Sequence, residues 1–203
     1  MQNKGKLFEQ DFKKSLEENN NLWIYRPSDF GGGTAGRFTN HSLCDYIIFD
    51  KSVGKIYFFE LKSSQGTSIS CPSIQAISSV IEAQKALDDI QVKEDKKQAV
   101  RAYKELVRKA NAHDIKLHQI KSLYDIQTKE NIYDNMCALF VLNFRTYNKT
   151  YTISATNLLL ALKETNKASI NIKDCQEYGG IEIVQSQIGK SQRWHYNLKE
   201  IIK

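Results

Sequence analysis

The sequence predicts an α/β fold in which helices pack against a central sheet, and three observations carry that prediction. Cys44 to Lys62 consists of two apolar stretches rich in Ile, Phe and Tyr around Lys51-Ser52-Val53-Gly54, the signature of a β-hairpin. Ala138 to Phe144 is a nearly continuous apolar run, as expected of a central strand buried on both faces. Residues 5–19 and much of 75–124 instead place their apolar residues at helical spacing. Length and composition agree, because 203 residues with 41% apolar and 26% charged content suffice for one well-cored domain.

The first helix is expected over 5–19, with Leu7, Phe8, Phe12 and Leu16 on one apolar face and Glu9 and Lys13 as a favourable pair four apart. Asn19-Asn20-Asn21 stops it, and Leu22 to Tyr25 reads as a short strand. Arg26 to Leu43 follows, with Pro27, four glycines and no core face. A stretch of that length inside a compact domain is usually a functional or disordered loop. The hairpin of Asp45 to Lys62 then runs into a polar turn, Ser63 to Ser68.

Beyond Pro72, Val80, Ala83, Leu87 and Ile90, then Val100, Tyr103, Leu106, Val107 and Ala110, predict a helical hairpin broken around Val92 to Asp95. Its mixed charges suit a solvated surface used for packing or dimerisation rather than a phosphate clamp. Ile115 to Tyr124 is a further helix carrying His118 and Gln119. Asn148-Lys149 turns the central strand into a partner at Thr150 to Ile153, before a short helix at Asn157 to Lys163 and a strand at Ile181 to Gln185.

Several function classes find no support. No apolar run approaches the roughly 20 residues that span a bilayer, and Met-Gln-Asn-Lys-Gly-Lys leads into a charged amphipathic stretch rather than a signal peptide. Cys44, Cys71, Cys137 and Cys175 are scattered without a C-x-x-C pair, which suits reduced thiols in a cytoplasm better than disulfides or zinc. Gly31 to Arg37 contains G-x-G-x-x-G, but Arg37-Phe38 stands where a P-loop needs Lys-Ser/Thr, and no helix signal follows. His41, His113, His118 and His195 lack metal-ligand spacing and read as surface or packing residues. The net charge of +6 is compatible with phosphate neutralisation, and a basic loop with Arg26, Arg37 and His41 beside a polynucleotide fits it.

The chemistry concentrates in the hairpin. If it closes about the Ser52–Val53 bond, Asp50 faces Lys55 and Asp45 lies directly opposite Glu60. Opposed side chains sit about 5 Å apart at Cβ, where like charges repel. Strand alternation adds Lys62 to the face of Glu60. Such acids at a strand end are ordinarily solvent-exposed partners of an incidental ion pair. Set within apolar segments, two carboxylates and an ammonium are costly unless a divalent cation uses them.

The spacing Asp45, Glu60, Lys62 is the D-x(n)-E-x-K pattern of the restriction-endonuclease-like nucleases. More closely, the chain resembles RecU-type Holliday junction resolvases, including phage relatives. The matching pieces are Gly5-Lys6-x-Phe8-Glu9, Cys44-Asp45-Tyr46-Ile47, Phe59-Glu60-Leu61-Lys62-Ser63, Ser68-Ile69-Ser70 and Lys116-Leu117-His118-Gln119-Ile120, followed by Ala138 to Phe144 with Tyr151 to Ile153.

The resemblance implies a restriction-endonuclease-like mixed central sheet flanked by helices, in one nuclease domain over 1–203. It implies a Mg²⁺-dependent endonuclease, with Mn²⁺ as a substitute, that resolves four-way DNA junctions as a homodimer in a bacterial or phage-infected bacterial cytoplasm. Glu9, Asp45, Glu60, Lys62 and Gln119 would be catalytic, with Asp45, Glu60 and the Leu61 carbonyl on the metal. Arg26, Arg37, His41 and Ser64 would contact DNA. The chain departs from the family in a helical insertion at about 75–114 and in a short glycine-rich loop at about 26–43, where the family carries a stalk. Another restriction-like or repair endonuclease, a non-catalytic DNA-binding protein on the same fold, and a helical partner-binding protein are the alternatives.

Overall fold

The computed structural model describes residues 4–27, 42–90, 93–130 and 135–202. The sheet grows from the predicted hairpin. Strands β2 (Tyr46–Asp50) and β3 (Lys55–Ser64) pair antiparallel with Asp50 opposite Lys55 and Tyr46 opposite Phe59. Asp50 closes the turn itself, its Oδ1 accepting from the Ser52 N–H at 2.8 Å and the Ser52 hydroxyl at 2.6 Å. Gly54 takes the left-handed φ of +68° that lets the chain re-enter β3. Strand β1 (Leu22–Tyr25) adds to the free edge of β2.

Strand β3 runs on to Ser64, past the Ser63 at which a polar turn was expected. The reason is its other neighbour: β5 (Met136–Phe144) lies parallel to it from Ile56 opposite Met136 to Ser64 opposite Phe144, pairing the backbone along the whole length. A parallel pair needs a long crossover. It is supplied by β4 (Ser68–Ser70), α2 (Ile74–Asp89), α3 (Lys93–Ala110) and α4 (Leu117–Asp125), the last widening into a π turn at Ile126–Glu130. Ser73 caps α2 by accepting from the Ala76 N–H. Helix α2 ends at Asp89 and α3 begins at Lys93, so of the break expected at Val92 to Asp95 the residues from Lys93 are helical and Val92 lies outside the described residues.

After β5, Asn148 adopts φ of 49° and turns the chain into β6 (Lys149–Ser154), antiparallel to β5. Ser154 caps α5 (Ala155–Thr165). Then come β7 (Ser169–Asn171), which pairs with β4, and α6 (Ile172–Glu177), capped reciprocally by Asn171 and Asp174. The single strand expected at Ile181 to Gln185 is two: β8 (Ile181–Ile183) joins the edge of β6, and β9 (Gln185–Gln187) turns away at Val184 to pair with β10 (Trp194–Tyr196). The main sheet has the order β1-β2-β3-β5-β6-β8 and is mixed, with helices on both faces.

Alternation along β3 and β5 divides the core in two. Phe58, Phe140 and Leu142 pack with Ile120, Leu123, Leu158 and Leu162 from α4 and α5. Phe59, Leu61 and Val141 pack on the opposite face with Phe8, Phe12 and Leu16 of α1 (Lys4–Glu17) and with Tyr196. Phe12 is fully buried and meets Phe59 edge-on at 5.9 Å, a position where truncation to alanine costs about 3–5 kcal/mol. The central strand is buried on both faces, as its sequence predicted. No helix among the described residues is long and apolar enough to cross a membrane.

Candidate active site

Asp45 stands one residue before β2, and its N–H donates to the Phe59 carbonyl at 3.0 Å. That bond is one residue out of the hairpin register, which ends at Tyr46 opposite Phe59, so the pairing of Asp45 with Glu60 expected from the count is not continued as a ladder. Asp45 Oδ2 accepts the Leu61 N–H at 2.7 Å, which pins the carboxylate against β3. Glu60 is only 4% exposed. Its Oε1 accepts from Lys62 Nζ at 2.9 Å and from Gln119 Nε2.

Gln119 is fixed at its other end, where its Oε1 accepts the Lys116 N–H at 3.0 Å in the first turn of α4. The amide therefore links the helix start to the acid directly. Among the described residues, Asp45 Oδ1 and Glu60 Oε2 accept no hydrogen bond.

These groups line one cleft of about 170 Å³ with Glu9, Ser42, Cys44, Leu61, Lys116 and His118. Glu9 reaches it from α1 and is held by the Arg26 guanidinium at 2.9 Å, which also lies over the Tyr46 ring. Arg26 thus serves Glu9 from the rim, with its side chain still half exposed. Ser64 shapes the end of β3, its hydroxyl accepting from the Gly66 N–H at 3.0 Å. Arg37 and His41 lie outside the described residues, as does the glycine run. Four residues not assigned to the site from sequence join it: Ser42, Cys44, Lys116 and His118. For Lys116 a signal was available, since it stands three residues before Gln119 and so shares its side of the helix start.

Electrostatics follow from burial. Glu60 is pushed up to about 7, first by desolvation and then by the Asp45 charge, against the pull of Lys62. Asp45 is also raised, by desolvation first, with the Leu61 N–H and Lys62 opposing. The Cys44 thiol is driven to about 12 by burial and by Glu60 and Asp45, so it is no nucleophile.

Two carboxylates that resist ionising together will take up either a proton or a cation. Two carboxylates with a neighbouring backbone carbonyl suit Mg²⁺, which binds through few protein oxygens and keeps waters or phosphates on its other positions. Among the described residues no three His, Cys, Asp or Glu side chains gather into a complete metal cage. An ion held by two carboxylates and one carbonyl would complete its coordination with water and substrate. Asp45, Glu60 and Leu61 fit such a half-open site.

Compared with known proteins, the chain matches no family model and no curated protein. The RecU-type likeness thus stands on the quoted motifs and on the order in which they occur.

Proposed function

We propose that this protein is a metal-dependent endodeoxyribonuclease of restriction-endonuclease-like fold that resolves four-way DNA junctions. The observation that carries the reading is the cleft that Asp45, just before β2, and Glu60, on β3, line together with the Lys62 ammonium, Asp45 pinned by the Leu61 N–H and Glu60 by Lys62. Mg²⁺ or Mn²⁺ bound to Asp45, Glu60 and the Leu61 carbonyl would polarise the scissile phosphate and lower the pKa of the attacking water.

The chain's own residues account for the rest. Lys62 balances Glu60 at rest and supplies positive charge for the phosphate as negative charge develops on it. Gln119 holds Glu60 in orientation, and the Leu61 N–H does the same for Asp45. Glu9, steadied by Arg26, sets a third carboxylate at the rim, where it can accept a proton from water. Lys116 offers a phosphate contact at the mouth. A junction is resolved by two symmetric cuts, so a homodimer matches the symmetry of its substrate. The four cysteines are free, in keeping with a reducing cytoplasm.

The deciding experiment incubates the protein with a mobile four-way junction and with a linear duplex of the same sequence, at matched salt, in Mg²⁺, Mn²⁺ or EDTA. Paired nicks in the junction alone, dependent on the divalent ion, are expected. Equal cutting of the duplex would reassign the protein to a restriction-like or repair endonuclease. Binding with no cutting in either metal would make it a non-catalytic DNA-binding protein.

A further inference from the structure

A larger cavity, of about 320 Å³, lies beyond the end of β3 on the face that carries α1. Its walls come from α1 at Lys4 and Asp11, from the ends of β3 and β5 at Asn143 and Arg145, and from the β9–β10 hairpin at Gln185 and Trp194, with further glutamine amides beside them. The nuclease chemistry above uses none of these residues.

The cavity is built and braced. Asp11, 2% exposed, accepts from the Arg193 guanidinium and from the Trp194 N–H at 2.9 Å, clamping the hairpin to α1. Below it runs a buried polar chain. Ser63 Oγ donates to Asn143 Oδ1 at 3.0 Å, Asn143 Nδ2 donates to Thr150 Oγ1 at 2.8 Å, and Thr150 Oγ1 donates to Gln185 Oε1 at 2.6 Å. The single acid in the lining is neutralised by Arg193, so Lys4 and Arg145 leave the cavity positive. The Arg145 Nε is buried with no hydrogen-bond partner among the described residues, a donor that a ligand oxygen would satisfy.

We propose that this cavity binds one unpaired nucleotide. The lining matches the three parts of that ligand. The Trp194 indole offers a surface for a base to stack on. The Gln and Asn amides carry both donors and acceptors, the pairing that reads a base edge. Arg145 and Lys4 meet the phosphate. The volume sits near the lower limit of roughly 300–1,000 Å³ for small-molecule sites, which suits a single nucleotide and is too small for a base-paired segment. From Lys62 to Gln65 is about 10 Å along an extended chain, so a strand with its scissile phosphate in the cleft can place a nearby unpaired nucleotide here. The placement of the strand rests on the nuclease reading; the binding itself does not.

The test uses the full chain carrying Trp23→Phe, which leaves Trp194 as the only tryptophan, in EDTA so that cleavage plays no part. Trp194 fluorescence is titrated with a short single-stranded oligonucleotide, with 5′-mononucleotides, and with a blunt duplex at the same salt. Saturable quenching by the oligonucleotide or by mononucleotides is expected, weakened roughly tenfold or more by Lys4→Ala with Arg145→Ala. Lys4 is exposed at a helix start, so Lys4→Ala alone, expected to weaken binding several-fold, guards against misfolding. Oligonucleotide binding much tighter than mononucleotide binding assigns the site to a strand; equal binding assigns it to a free nucleotide. No saturable quenching, or equal quenching by the blunt duplex, overturns the proposal. Asp45→Asn should leave the quenching intact, so a failed nuclease reading and a failed cavity reading give different results.

Discussion

Glu60 offers the sharpest test of the cleft, through its stability rather than its chemistry. The folded protein holds its proton up to about pH 7 against the ordinary 4.5. At about 1.4 kcal/mol per tenfold in proton affinity, that difference amounts to about 3 kcal/mol. The sign follows from which state holds the proton. Between pH 4.5 and 7 the unfolded chain releases a proton that the folded chain keeps, so stability falls as pH rises through this window.

Glu60→Gln removes the titration while keeping an oxygen that can accept from both Lys62 and Gln119. In EDTA at pH 8 the variant should therefore be more stable than the wild type by up to about 3 kcal/mol, converging with it near pH 4. Urea unfolding at pH 4, 5, 6, 7 and 8 reads both curves. Saturating Mg²⁺ at roughly a hundredfold Kd should return about 3 kcal/mol to the wild type and nothing to the variant. If Glu60→Gln is the less stable protein at pH 8, and its pH profile runs parallel to the wild type, the electrostatic account of the cleft is wrong.

Four further outcomes are expected. Asp45→Asn should abolish junction cleavage while leaving gel-shift affinity in EDTA largely unchanged; cutting at the wild-type rate would remove Asp45 from the site. Gln119→Ala should lower cleavage about 10- to 100-fold by releasing Glu60, and its Mg²⁺ midpoint should rise, as a metal titration would show. Cleavage at limiting Mg²⁺ should increase with pH up to about 7, because protons compete for Glu60, and raising Mg²⁺ should move the midpoint to lower pH. Asp11→Ala strips the partners of Arg193 and the Trp194 N–H and should cost about 3 kcal/mol, measured by urea unfolding with Trp194 fluorescence as the local probe.

What the sequence revealed and what it concealed follow from range. The hairpin register was legible because Asp50, Gly54 and strand alternation are local, and the structure keeps Asp50 opposite Lys55. Helix α1 was legible because Leu7, Phe8, Phe12 and Leu16 repeat at helical spacing and all four are buried. Strands β4 and β7 were not, because three residues of each pair only with one another across a hundred positions. Nor was the β9–β10 hairpin: Gln185-Ser186-Gln187 has no apolar alternation, and Asp11 from the far end of the chain holds its partner strand in place. In the cleft, counting along one hairpin brings Asp45, Glu60 and Lys62 to the same strand end, where they line one cleft although the paired register stops at Tyr46 opposite Phe59. Gln119 could be placed only by likeness, since the crossover that returns α4 to β3 leaves no trace in spacing.

The alternation of β3 also explains why two polar sites can share one strand without merging. Glu60 and Lys62 project to the face that α4 covers, whereas Leu61 belongs to the core beneath α1. A continuous polar cavity through the sheet would strand buried polar groups without partners. Instead Leu61 and Val141 seal the interior, and Ser63–Asn143–Thr150 carries polarity only where the strands end. A strand of DNA engaging both sites would have to pass around the end of β3, past Ser64 and Gln65. Lengthening that turn by two glycines after Gly66 should therefore reduce cleavage while sparing mononucleotide quenching of Trp194, because it moves the path between the sites and neither site itself. Unchanged cleavage would show that the strand takes another route.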